Sequence, residues 1–132
     1  MAKKKSSYEG LQKDIRTLKA PKIDVWQNQY VDREYIVTLE NPEFTCICPK
    51  THLPDFAAIT IQYKPDRWCV ELKSFKMYML FYRSVGIFHE HVINKVLDDF
   101  VKACRPRWVC IKGEFSVRGG IKTTVSAEYQ RS

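Results

Sequence analysis

The side chains best suited to chemistry fall in four short runs. In FTCICPKTHLPDF, residues 44–56, Cys48 is followed by Pro49 and Lys50, with Asp55 seven residues on. A loop thiol beside a lysine can ionise below its ordinary value and act as a nucleophile. A nearby carboxylate can supply or take the proton that covalent addition requires. A half-buried structural cysteine satisfies the same spacing. Cys69, Cys104 and Cys110 lie in strand or helix patterns and read as small core residues. His89-Glu90-His91 opens a helical pattern, where free N–H groups favour a carboxylate. Glu90 is therefore either an ordinary first-turn acid or an acceptor for a base or amide. Lys73 and Lys76 share one helix face and either hold phosphates or form a solvated basic surface. Arg118-Gly119-Gly120 reads first as a hairpin turn and second as a phosphate nest. Cys46-x-Cys48 with His52, and His89-x-His91, do not follow a standard structural-zinc spacing.

The elements that must position these groups come from periodicity. Tyr35, Val37 and Leu39 alternate with polar neighbours, predicting a first strand that ends before Asn41-Pro42; residues 43–55 then read as a loop. Ile59, Ile61 and Tyr63 predict a second strand, closed by the turn Lys64-Pro65-Asp66. Residues 72–83 suit a helix that is apolar almost all round, and so buried on more than one face. Val92, Ile93, Val96, Leu97, Phe100, Val101 and Cys104 form one stripe of a second helix, ended by Arg105-Pro106. Val109, Ile111, Phe115 and Val117 predict a third strand, with Gly113 on the same face as a point of close approach. Ile121 to Tyr129 alternate strictly and predict a fourth. The order β-β-α-α-β-β implies an α+β domain, an antiparallel four-stranded sheet with two helices on one face.

The chain has 132 residues, enough for one domain, with an apolar share of 45% that supports a packed core. The net charge is +7, of which residues 1–24 carry +4. We read 1–24 as a flexible basic leader and 25–132 as the single folded domain. The five glycines, at 10, 86, 113, 119 and 120, cannot form a Rossmann or Walker phosphate loop. Five cysteines without a secretory signal fit a reducing cytoplasm.

Taken together, three runs in order resemble one family. Over about residues 30 to 131 the chain is similar to the NADPH-dependent 7-cyano-7-deazaguanine reductases, the nitrile reductases of queuosine biosynthesis, in their short single-domain form. Glu71 to Tyr78 (ELKSFKMY) looks like the run that separates this family from GTP cyclohydrolases. Phe44 to Phe56 looks like its catalytic loop, and Phe88 to His91 like its base-binding segment. The resemblance implies the tunnelling fold, matching the order read from periodicity. It implies that Cys48 forms a thioimide with the nitrile carbon, that Asp55 is the general acid and that His89 lies beside the reacting group. It implies that Glu90 holds the guanine-like edge, with Val70, Glu71 and Leu72 bordering the base pocket. Lys73, Ser74, Lys76 and Arg118 are expected toward NADPH. No metal and no direct nucleic-acid contact are expected, and the assembly implied is a homodecamer of two pentameric rings with sites between subunits. Two other readings are kept: a zinc-dependent GTP cyclohydrolase-like enzyme, and a small RNA-binding module using the leader.

Overall fold

The structure, a computed structural model, describes residues 14–132; the first part of the leader, 1–13, lies outside the described residues. Two adjacent strands carry the architecture. β2, Val37–Ile47, pairs antiparallel with β3, Pro54–Lys64, and β3 in turn pairs with β5, Trp108–Phe115. β6, Thr124–Gln130, completes a four-stranded sheet of order β2-β3-β5-β6. Two helices, α1 (Leu72–Phe81) and α2 (His89–Cys104), cover one face. Period-two alternation sends Ala57, Ile59, Ile61 and Tyr63 of β3 into the core with Val109, Ile111 and Phe115 of β5. The α2 stripe of Val92, Ile93, Val96 and Phe100 meets them, fully buried. The α+β, antiparallel, two-helix order read from periodicity is thus the observed one. Among the described residues no helix is long and apolar enough to cross a membrane.

The structure departs from the sequence reading in several places. β2 does not stop at Asn41-Pro42. It continues to Ile47 through a register shift between Asn41 and Phe44, so the loop shrinks to residues 48–53. Proline is tolerated there because β2 is an edge strand and the irregularity needs no donor at that point. Asn41 Oδ1 accepts the Glu43 amide at 3.2 Å and shapes the kink. The first helix ends at Phe81, and Tyr82–Ser84 tighten into a 3-10 turn. In the single chain α1 buries Phe75, Tyr78 and Met79 and leaves Leu72, Met77 and Leu80 exposed. Val117 lies beyond the end of β5, and β6 begins at Thr124 rather than Ile121. Two three-residue strands escape periodicity altogether: β1, Val25–Gln27, pairs with β4, Trp68–Val70.

Residues 14–24 lie on this body. Ile15, Leu18 and Ala20 pack against the core and Ile23 is buried. The Lys95 ammonium donates to the Arg16 carbonyl at 3.4 Å and to Asp99 at 3.1 Å. Asp99 also accepts the Tyr78 hydroxyl at 2.5 Å, so the segment is tied to both helices through one polar network.

Candidate active site

Three chain segments converge where β2 ends and β3 begins. The amide of Ile47 donates to the Val85 carbonyl at 3.0 Å, and the amide of Ile87 donates back to Ile47 at 2.9 Å. This short parallel link carries the chain from α1 to α2 past the end of β2, and so delivers His89 to Asp55. The Asp55 side chain is buried, 5% exposed, on the helix-facing side of β3. Its Oδ2 lies 3.1 Å from His89 Nε2 and its Oδ1 lies 3.1 Å from the Arg118 guanidinium. The His89 ring stacks on Phe115, with centroids 3.8 Å apart and planes 10° apart. A buried carboxylate thus has a cationic or proton-bearing partner on each oxygen, as its burial demands.

Cys48 begins the loop that closes this corner. Its amide donates to the Leu53 carbonyl at 2.9 Å, and its carbonyl accepts the His52 amide at 2.8 Å. His52 takes the left-handed φ of 63° that lets the loop turn back. Burial alone would raise the Cys48 thiol. The Thr51 hydroxyl and the Thr51 and Lys50 amides donate to its sulfur and bring it below the ordinary thiol value, with Asp55 opposing. Cys46 behaves oppositely. It faces Asp55 across the β2–β3 pair, is fully buried, and donates to the Ile87 carbonyl at 3.8 Å. Burial, then the negative charges of Asp55 and Cys48, push its thiol up to about 12. Of the two neighbouring cysteines, only Cys48 has the surroundings of a nucleophile.

The other candidate residues divide. Glu90 sits exposed in the first turn of α2, next to His89, with its backbone carbonyl bonded by Asn94. Val70, Glu71 and Leu72 lie at the far end of the sheet: the Val70 amide donates to the Tyr63 hydroxyl at 3.0 Å. Asp55 and Tyr63 are separated along β3 by about 26 Å of extended chain. One chain therefore does not bring residues 70–72 together with Cys48. Glu71 is the N-cap of α1: its carboxylate accepts the Lys73 amide at 2.7 Å and the Ser74 amide at 2.8 Å, which lowers its pKa. The Ser74 hydroxyl donates to the Glu71 carbonyl and accepts the Asp24 amide. Lys76 and Arg83 line a groove of about 800 Å³ between α1 and β2, floored by Leu72, Phe75 and Met79. Arg118 stands at Asp55 instead, placed there by the two-residue turn at Gly119 and Gly120, whose φ values are 59° and 82°. Sequence reasoning missed Thr51, although a hydroxyl three residues after a loop thiol is the signal that could have found it. Among the described residues, no group of three or more His, Cys, Asp or Glu side chains is placed to hold a metal ion.

Comparison with known proteins adds a family to this geometry. The family model described as "QueF-like protein" matches residues 54–132. The NADPH-dependent 7-cyano-7-deazaguanine reductase of Elusimicrobium minutum is 53% identical over 113 residues, 86% of this chain and 85% of that protein. The reductase of the same name from Chlorobaculum tepidum is 52% identical over 83% of this chain and 94% of that protein. Among solved structures, the apo crystal structure of an archaeosine synthase, QueF-Like, superposes with a TM-score of 0.68. It is 24% identical, covers 74% of this chain and 95% of its own, and speaks for the fold alone. A shared tunnelling fold, and half of all residues held in common with proteins of one name over most of both chains, lead to one assignment: the chain belongs to the QueF-like family, among the NADPH-dependent 7-cyano-7-deazaguanine reductases.

Proposed function

We propose that the protein reduces the nitrile 7-cyano-7-deazaguanine to 7-aminomethyl-7-deazaguanine, a step toward the tRNA nucleoside queuosine, using NADPH. The observation that carries this reading is the contrast at one corner. The Cys48 thiol is held below its ordinary value beside a buried Asp55–His89 pair, while the Cys46 thiol is held high.

A nitrile carbon is a weak hydride acceptor. The Cys48 thiolate adds to it, forming a C–S bond as one C–N π bond opens. The nitrogen takes a proton from the Asp55–His89 pair, giving a thioimide. NADPH, when bound, would supply one hydride, so the four-electron reduction takes two NADPH in succession, one hydride from each. Between them the C–S bond breaks, and the Cys48 thiolate leaves an imine behind. Phe115 fixes the plane of His89, and Arg118 holds the second oxygen of Asp55, so the proton is offered from one direction. Glu90 accepts the N–H groups of the guanine-like edge. The groove along α1 suits the cofactor's chemistry: Lys76 and Arg83 offer cations to phosphates above an apolar floor, and Lys73 precedes Lys76 by one turn of α1.

The active form is a ring-forming homo-oligomer, a decamer of two pentamers, in which a neighbour's residues 70–72 complete the site at Cys48. Support comes from the separation of those residues from Asp55 within one chain and from two edge strands, β6 and β2, the latter bridged by the 85–87 segment at Ile47 alone among the described residues. Leu72, Met77 and Leu80 also leave an apolar helix face exposed. The free cysteines suit a reducing cytoplasm.

Mass spectrometry of the protein mixed with the nitrile alone tests the chemistry. Wild type and Cys46→Ala gain the mass of the substrate, because the thioimide waits for hydride; Cys48→Ala gains nothing and does not turn over. An adduct that persists in Cys48→Ala and vanishes in Cys46→Ala would reassign the nucleophile.

A further inference from the structure

The loop from Cys48 to Leu53 is built around a sulfur atom. The His52 amide donates to the Cys48 carbonyl at 2.8 Å, a single turn that brings the Lys50 and Thr51 amides, two and three residues on, to the Cys48 side chain. That is the geometry by which a side-chain acceptor caps the first turn of a helix. Pro49, in the position after the cap, presets φ and has no N–H to compete for the sulfur. The Thr51 hydroxyl adds a third donor, and its direction is set by the rest of the loop. Thr51 Oγ1 accepts the Leu53 amide at 3.3 Å, which leaves its proton for the sulfur. The same Leu53 carbonyl takes the Cys48 amide, so hydroxyl, amide and sulfur form one closed set of bonds.

We propose that Thr51 is a positioning residue for the nucleophile: its hydroxyl, oriented by the Leu53 amide and carried next to residue 48 by the His52-to-Cys48 turn, donates to the Cys48 sulfur at the corner where Asp55 and His89 wait. Lys50 contributes its backbone amide to the sulfur. This rests on the reading of Cys48 as the attacking group, but its test does not need the nitrile. Three donors aimed at one sulfur favour the charged form, and removing the hydroxyl takes away the strongest lever that a side chain supplies. Thr51 is exposed, so trimming it leaves the core untouched.

The test is the pH dependence of Cys48 alkylation by iodoacetamide, followed by peptide mass mapping in wild type, Thr51→Val, Thr51→Ala and Thr51→Ser. Thr51→Val and Thr51→Ala should move the midpoint up toward the ordinary thiol value of about 8.5. A shift of one unit makes labelling at pH 7 about tenfold slower. Thr51→Ser should restore the wild-type profile. If Thr51→Val misfolds by circular dichroism, Thr51→Ala carries the same comparison. Unchanged midpoints in the variants that fold overturn the proposal. A low wild-type midpoint, raised in Thr51→Ala, with no nitrile adduct in any protein would instead keep Thr51's role and overturn the nitrile reading.

Discussion

Replacing Gly113 by alanine tests the seat of α2, and through it the placing of His89. A Cβ at Gly113 would stand 2.5 Å from Ile93 Cδ1, 3.1 Å from Ile93 Cγ1 and 3.2 Å from Phe115 Cε1. Ile93 is fully buried under α2, and Phe115 is the ring on which His89 stacks. Overpacking of this kind costs about 1–3 kcal/mol. Alanine in place of a strand glycine returns about 0.5–1 kcal/mol of backbone entropy, so the net loss expected lies between about 0 and 2.5 kcal/mol. Ile93→Val alone removes the Cδ1 methyl and costs about 0.5–1.5 kcal/mol. In that background the 2.5 Å clash is gone, and Gly113→Ala should cost about 1–2 kcal/mol less than in wild type. Urea unfolding of the four proteins measures this, at one fixed concentration because association adds to stability by mass action. Turnover should fall in Gly113→Ala and recover in the double variant, since the displaced Phe115 carries His89. Additivity of the two stability changes within about 0.5 kcal/mol would refute the contact as the reason for glycine.

Asp66 is held below the usual carboxylate range, first by its hydrogen bond from Arg131 at 2.5 Å and then by the Arg131 and Arg107 charges, against burial. Because the folded value is the lower one, the stability it contributes is present above about pH 3.9 and is lost as pH falls through the folded value. Asp66→Asn should therefore cost about 1 kcal/mol at pH 7, and a loss unchanged at pH 2 would contradict this origin. Met77→Glu with Leu80→Glu changes side chains that are 54% and 40% exposed in the single chain, so the fold should survive. Sedimentation should then give 15.6 kDa monomers without reductase activity, and active monomers would remove the shared site.

The repeating parts of the fold were legible because their burial is one-sided. The α2 stripe and the alternation of β3, β5 and β6 each name a face, and Gly113 could be read as a close approach on one of them. The runs around Cys48, Glu71 and His89 were legible as a family resemblance. Elements of three residues, β1 and β4, carry no period to read. Nor did local rules reveal that β2 runs through Pro42, since a proline stops a strand unless that strand lies at an edge, and edge position is a property of the finished sheet.

Roles within the site divide in the same way. The sequence by itself determined that a loop thiol, a carboxylate seven residues on and a histidine at a helix start exist in this order. Which thiol is pushed down and which up was decided only by tertiary structure, because the donors around Cys48 come from the turn of its loop and the burial of Cys46 from its place in β2 against the 85–87 segment. The same holds for Glu71 and Ser74, whose polar groups cap α1, and for Arg118, which a glycine turn swings onto Asp55. Spacing along a chain sets which groups are available; their charge state and their partners are set by what desolvates them and which donors reach them. Those are distances between residues far apart in sequence, and only the folded chain contains them.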